Sequence, residues 1–324
     1  MAVFALIATC AFWGLSFPVL KALQLEQAMR VPEASSWFLA AWIQMARFAT
    51  AALLLAPFML HLPRPTRKEV RQGLELAAWG GIGMGIQTDG LTYTDASTSA
   101  FLTQAYCVLL PLWAAFRTKQ APSGRVLGAT FLVVTGVAVL SGIRPGSLTM
   151  GRGELETLLS AVFFTGQILT LEKPKYAGNR GRPVTLMMCV GIAVLALPVA
   201  WITAPSSHAL VTAGASWPAV AMISSLALFC TIGAFLLMNT WQRHVPATEA
   251  GLIYTSEPVF AAFYALFLPA MLATWAGISY DNEVATLTLI GGGSLILAAN
   301  VWMQWKGTPH WLPAWRTGAQ SRRE

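Results

Sequence analysis

The chain has 324 residues, 56% of them apolar and only 11% charged, with a formal net charge of +7 and a mean hydropathy of +0.58. Soluble domains carry roughly 25% charged residues, so this composition excludes a soluble globular protein and describes one that crosses a bilayer repeatedly. The positive balance does not point to nucleic acid, because the basic residues lie between apolar runs rather than along one face.

A membrane span takes about 20 mostly apolar residues at a rise of about 1.5 Å each. In chain order the segments that qualify are Ala2–Leu20, Trp37–Leu60, Val70–Leu91, Ala96–Phe116, Val126–Ser141, Glu156–Leu171, Val184–Thr203, Ala219–Trp241, Ala247–Trp275 and Ala285–Trp305. The first begins without a basic leader and runs past the length of a signal core, so it reads as a retained span. Its stretch CAFWGLSFPVL places Trp13, Gly14, Ser16 and Pro18 within one and a half turns. Trp13 and Ser16 are expected to face an internal cavity, with Gly14 and Pro18 allowing the helix to bend. Arg47 lies deep in span two, where a lone charge costs at least about 2.5 kcal/mol. It either holds a substrate carboxylate or ties helix ends together as a structural charge, and the structural role is favoured.

Span three carries GGIGMG, Gly80 to Gly85, which imitates a nucleotide loop but lacks the spacing and the preceding strand. Gly81 and Gly85 read instead as a small-xxx-small packing step. Gln87 follows at mid-depth, and Asp89 reads as a solvated boundary residue. Span four contributes Gln104, Tyr106 and Pro111, span six Gln167, and span nine Tyr254, Glu257 and Pro258. Pro111 and Pro258 are further candidate hinges, since proline removes a backbone donor and frees a carbonyl one turn earlier. Glu257 beside that break either carries a proton, contacts a substrate amine, or stabilises the kink. Cys10, Cys107, Cys189 and Cys230 all fall in apolar runs and read as packing residues. No metal-ligand cluster, cofactor motif, Walker sequence or catalytic constellation is visible, so no cofactor and no ATPase partner is implied.

Lysine and arginine orient the spans. With the N-terminus inside, sixteen basic residues fall on cytoplasmic connections and the tail, against Lys21, Arg30, Arg144 and Arg152 outside. Both termini are then cytoplasmic, with Trp302, Trp305, Trp311 and Trp315 as interfacial anchors. Ten spans divide into residues 1–145 and 146–305, followed by a basic tail at 306–324. An odd number of spans per half makes the two halves an inverted repeat. Span four has Ala100 eleven residues before Pro111, and span nine has Ala247 eleven before Pro258.

Trp13-Gly14-x-Ser16-Phe17, Arg47-Phe48, Leu91-x-Tyr93 leading into span four with Pro111, and Glu257-Pro258 together resemble the drug/metabolite transporter superfamily. More narrowly they resemble its EamA family and the YddG-like amino acid exporters. The apolar stretch LFLPAMLATWAGISYDNE departs from that pattern by lengthening span nine. The resemblance implies an all-α carrier of small metabolites, most simply an exporter of neutral or aromatic amino acids across the inner membrane by alternating access. Residues expected to bind substrate are Trp13, Ser16, Gln87, Gln104, Tyr106, Gln167, Tyr254 and Glu257. A monomer in the bilayer is expected, with a small-molecule substrate and no nucleic-acid partner. A channel-like facilitator and an intramembrane enzyme are the alternatives, and the absence of a reactive cluster weighs against the second.

Overall fold

A computed structural model of the chain describes residues 1–59, 61–119, 121–140, 150–171, 173–242 and 253–304. Among these residues all regular structure is helical. The long elements are α1 (Ala2–Arg30), α2 (Ser36–Leu55) and α3 (Arg67–Gly90). After them come α4 (Ala96–Thr103), α5 (Tyr106–Thr118), α6 (Gly124–Leu140), α7 (Arg152–Leu171) and α8 (Gly181–Thr203). The short α9 (Ser207–Thr212) precedes α10 (Trp217–Trp241), and α11 (Glu257–Ala265), α12 (Leu268–Ala276) and α13 (Leu287–Gln304) complete the order. Four of these, α1, α2 with its following turn, α8 and α10, are each long and apolar enough to cross a membrane. The bent pair α11–α12 adds a fifth, and α6 and α13 are shorter apolar helices.

Several boundaries differ from the hydropathy reading. Helix α1 runs ten residues beyond Leu20, because KALQLEQAMR is rich in strong helix formers. Its polar side chains find partners: Gln24 donates to the Thr88 carbonyl and Gln27 to that of Ala213 at 3.0 Å, and Glu26 pairs within the helix with Arg30. Span nine is not one rod. Helices α11 and α12 meet at 53°, and the bend falls at Leu266–Phe267, just before Pro269. Residues 243–252, which include the start of that expected span together with His244 and Glu249, lie outside the described residues, as do 305–324 with Trp305, Trp311, Trp315 and His310.

Of the four candidate hinges, Pro111 and Pro258 sit near helix breaks without coinciding with them, and the other two lie at no break. Gly14 and Pro18 lie inside an unbroken α1. The α4–α5 break is at Gln104–Ala105, closed by short-range bonds from Gln104 N to Phe101 O and from Ala105 N to Leu102 O, and Pro111 lies within α5. Pro258 is the second residue of α11, in the first turn, where a missing N–H costs little.

Helix starts are locally encoded. Thr66 and Glu69 form a reciprocal capping box on α3, with Glu69 N donating to Thr66 Oγ1 at 3.2 Å and Thr66 N to Glu69 Oε2 at 2.7 Å. Ser35 and Ser216 cap α2 and α10. Helix α4 has no cap from its own Asp95. Glu283, from the segment before α13, accepts from the N–H groups of Ala96 and Ser97 and from the Ser97 hydroxyl.

The helices pack as α3 on α7 and α8, α2 on α8, and α6 on α13; α1 packs on both α10 and the α11–α12 pair, and α4 on α7 and α11. Glycines set the closest crossings. At Gly136 and Gly292 a Cβ would meet the other's carbonyl at 2.8 Å, so α6 and α13 cross there. On α3 the tight positions are Gly73, Gly80 and Gly83, against α8 and α7. The expected Gly81–Gly85 step is looser, since a Cβ at Gly81 first meets Ile192 at 3.2 Å and one at Gly85 meets only Gln44 Nε2, at 3.9 Å. The four cysteines are buried free thiols.

Candidate functional site

Polar groups in an apolar span must turn inward, since lipid offers them no partner. Here they converge. A cavity with a water-accessible volume of about 100 Å³ is lined by Trp13, Ser16, Gln87, Tyr106, Gln167, Tyr254 and Glu257, together with Arg47. At on the order of 10–15 Å³ per water, that space holds several waters or a small organic molecule. Gln104 is the expected lining residue that lies elsewhere. It is fully buried at the α4–α5 break, where its Oε1 accepts from Cys107 Sγ at 3.7 Å. Sequence reasoning did not single out Thr88, Thr103, Phe235, Met238 and Gln242. Their spacing carries no signal apart from their position on helices that already hold a cavity residue or border one.

The walls have fixed geometry. Trp13 packs edge-on to Phe235 at 5.6 Å and tilted against Tyr254 at 5.8 Å, making an aromatic corner from three helical segments. The Tyr254 hydroxyl donates to Gln242 Oε1 at 2.9 Å. Gln87 Nε2 donates to Thr103 Oγ1 at 2.6 Å, which in turn donates to the Ser99 carbonyl at 2.8 Å. Ser16 donates to the Trp13 carbonyl of its own helix at 2.6 Å. Gly14 faces away from the cavity into the α1–α11 crossing. A Cβ there would lie 2.8 Å from both Ala261 N and Phe260 Cβ and 3.1 Å from the Glu257 carbonyl.

Tyr106 and Glu257 are each the first helical residue after a break, of α5 and α11 respectively. Helix N-termini carry partial positive charge, so two such ends lie at the cavity wall.

Five charged side chains are buried among the described residues: Glu26, Arg47, Glu69, Asp89 and Glu257. Three are ion-paired: Glu26 with Arg30, Glu69 with Arg180, and Asp89 with Arg152. Asp89 is therefore a buried, paired group rather than the solvated boundary residue its position suggested. Arg47 and Glu257 have no oppositely charged partner within 4 Å among the described residues, and both line the cavity.

The two ends of the bundle carry the paired charges. Beyond Leu20 and Thr88 of the cavity wall, Arg152 donates to Asp89, to Glu156 at 2.7 Å and to the Tyr93 hydroxyl at 2.8 Å, and Lys21 bonds the Thr94 carbonyl. Glu283 lies at this end, and its burial raises its carboxyl above the usual range against the opposing bonds from Ser97. At the other end Glu75 takes Lys173 at 2.6 Å, Tyr176 at 2.7 Å and Lys175 at 3.0 Å. There Arg180 hydrogen-bonds Glu69 and holds its carboxyl down to about 2. The cavity itself reaches Leu171 and Gln242, at the ends of α7 and α10.

Comparison with known proteins follows the same direction. Residues 1–142 match the EamA-like transporter family. An uncharacterized transporter of Archaeoglobus fulgidus is 25% identical over 262 residues, spanning 81% of this chain and 76% of that protein. A protein of solved crystal structure superposes with a TM-score of 0.50 at 15% identity, covering 90% of this chain and 95% of that one, which shows a shared fold. Residues 1–142 thus resemble the EamA-like transporter family, and the relative that matches most of the chain is itself named a transporter.

Proposed function

We propose that the protein is a secondary transporter of small metabolites, most simply a YddG-like exporter of neutral or aromatic amino acids, working by alternating access across the inner membrane with both termini cytoplasmic. The observation that carries this reading is the cavity. It combines an aromatic corner at Trp13, Phe235 and Tyr254 with amides, hydroxyls, one cation and one acid. Small-molecule sites are mostly apolar with a few convergent polar groups, and a neutral amino acid with a bulky side chain matches that inventory.

The ten-span reading takes α4–α5 and α11–α12 as one broken span each. Packing supports two inverted five-span repeats. Exchanging α1 with α7, α2 with α8, α3 with α10, α4–α5 with α11–α12, and α6 with α13 turns α3–α7 into α10–α1 and α4–α7 into α11–α1. It leaves α2–α8, α6–α13 and α4–α11 paired with themselves, and all of these pairs are in contact. Discontinuous helices at a midplane site are the usual means by which such repeats build a binding position. With the positive-inside orientation, the Arg152 and Lys21 clasps close the outer end and the cavity extends toward the cytoplasm.

Reconstitution into proteoliposomes tests this. Saturable uptake of labelled phenylalanine, tryptophan or leucine, stimulated by unlabelled amino acid on the far side, is the expected result. Flux that does not saturate, or a panel in which only sugars or nucleosides move, overturns it.

A further inference from the structure

We infer that Arg47 is the carboxylate-binding residue of this cavity, presented by a π-helical segment of α10, and that Glu257 takes the opposite, cationic end of the same ligand. The inference deepens the amino acid reading and rests on it for the pairing of the two ends.

Helix α10 is π-helical over Leu226–Gly233. The wider turn brings Thr231 Oγ1 to the Leu226 carbonyl five residues back, at 3.0 Å, and leaves the Cys230 carbonyl available to a side chain. Arg47 uses both features: Nε donates to Thr231 Oγ1 at 2.6 Å and Nη2 to the Cys230 carbonyl at 3.0 Å. Its guanidinium also lies over the Phe48 ring at 5.3 Å. These contacts fix the plane and direction of the fork. They do not neutralise it, because both acceptors are uncharged.

Among the described residues Nη1 makes no protein hydrogen bond, and it is not one of the fully enclosed polar atoms that lack a partner. On a side chain only 5% exposed that lines the cavity, that leaves Nη1 open to the cavity interior. A guanidinium oriented by two anchored nitrogens and left with free N–H groups suits a carboxylate.

Glu257 is the complementary case. It is 7% exposed, lines the same cavity, and has no hydrogen-bond donor or cation among the described residues. The Tyr254 and Trp13 rings line the same cavity, and aromatic faces attract a cation. An amino acid zwitterion supplies both missing charges at once, its carboxylate to Arg47 and its ammonium to Glu257.

Three matched probes separate the ends: phenylalanine, phenethylamine without the carboxylate, and 3-phenylpropionate without the ammonium. Binding is read by thermal stabilisation of the purified full-length protein. Arg47→Gln should weaken phenylalanine and 3-phenylpropionate by about tenfold or more, the scale of a lost charged hydrogen bond, and leave phenethylamine unchanged. Glu257→Gln should do the reverse. Because Arg47 also anchors α10, Thr231→Val serves as the second variant: it removes one anchor and keeps the charge, so the relative ranking of the probes should survive.

Equal weakening of all three probes in both Arg47→Gln and Thr231→Val makes Arg47 an anchor only and overturns the inference. So does an unchanged ranking in Arg47→Gln. If Arg47→Gln does not fold, Arg47→Lys takes its place, and an unaltered carboxylate preference there counts against the fork. Arg47-dependent binding of 3-phenylpropionate by a protein that moves no amino acid would retain the inference and sink the amino acid reading. Amino acid transport with unchanged probe ranking would do the opposite.

Discussion

The α1–α11 crossing gives a sharp test, because Gly14 is packed tightly there while Gly85, on α3 of the same bundle, is not. Replacing Gly14 with alanine places a Cβ 2.8 Å from Ala261 N and Phe260 Cβ, where ordinary contact begins near 3.4 Å. One of those atoms is backbone, so no rotamer change relieves the overlap and the helices must part by several tenths of an ångström. Overpacking of this kind costs about 1–3 kcal/mol. Gly85, on α3, has only Gln44 Nε2 within reach, at 3.9 Å, so alanine there makes an ordinary contact without overlap. Both substitutions gain the same helix propensity, up to about 1 kcal/mol, and that gain cancels in the comparison. Gly14→Ala should therefore be less stable than Gly85→Ala by about 1–3 kcal/mol, a gap of roughly 2–10 °C in melting temperature. The measurement is thermal unfolding of the two purified variants in the same detergent, with counterflow in liposomes alongside. Because Gly14 rests on the Glu257 carbonyl, parting the helices shifts Trp13 relative to Glu257, and transport should fall in Gly14→Ala while persisting in Gly85→Ala. Equal melting temperatures for the pair would refute the packing argument. An unstable Gly14→Ala with full transport would refute the link from that crossing to the cavity.

Thr103→Val removes the acceptor that orients Gln87, so substrate half-saturation should rise several-fold with little loss of stability; an unchanged half-saturation would show that Gln87 does not depend on that bond. Glu69 has its carboxyl held down to about 2 from 4.5 by Arg180, so its contribution is fully present above about pH 4.5 and is lost as pH falls toward 2. Unfolding followed from pH 7 to pH 3 should lose stability more steeply in the parent than in Glu69→Gln, and parallel curves would contradict the assignment. Glu283 stands in for the cap that Asp95 does not supply, so Glu283→Ala should destabilise by about 0.5–2 kcal/mol, while Asp95→Ala should cost less; the reverse order in thermal unfolding would remove Glu283 from that role.

How much of this was legible in the sequence follows from what lipid forbids. Trp13, Gln87, Gln167 and Glu257 sit in apolar runs where a polar or amphipathic group has no partner in hydrocarbon, so their inward orientation can be read residue by residue. Gln104 obeys the same rule and is buried, but it sits at the Gln104–Ala105 break outside the cavity lining, and no proline marks that break. Residues 21–30 read as a loop by hydropathy because Lys21, Gln24, Glu26 and Gln27 are polar. They are helical because those residue types favour helix and each finds a partner, Glu26 on its own helix and the other three across neighbouring elements. The π segment LALFCTIG has no proline and no local polar signature, and its widened turn is matched by a side chain more than 180 residues away in sequence. Arg47 could therefore be placed at membrane depth from the sequence, whereas which of its nitrogens is anchored and which is free depends on that distant turn.

The two unpaired charges also bear on how the carrier would cycle. An empty cavity that closes around Arg47 and Glu257 encloses both without a counter-charge, and burying an unpaired ion costs several kcal/mol. A zwitterion lowers that cost in the closed form more than in the open one, where water already solvates the charges. A ligand shifts a conformational equilibrium only by such a difference in affinity. Loaded protein should thus change sides faster than empty protein, and every 1.4 kcal/mol of difference is about a factor of ten. Exchange of labelled for unlabelled amino acid should outrun net efflux into amino-acid-free buffer by at least about tenfold, and the ratio should shrink in the double variant Arg47→Gln, Glu257→Gln, whose empty cavity encloses no charge. Exchange and net flux at the same rate in the parent protein would show that the empty carrier closes freely, and that the two charges are met by something other than the cargo.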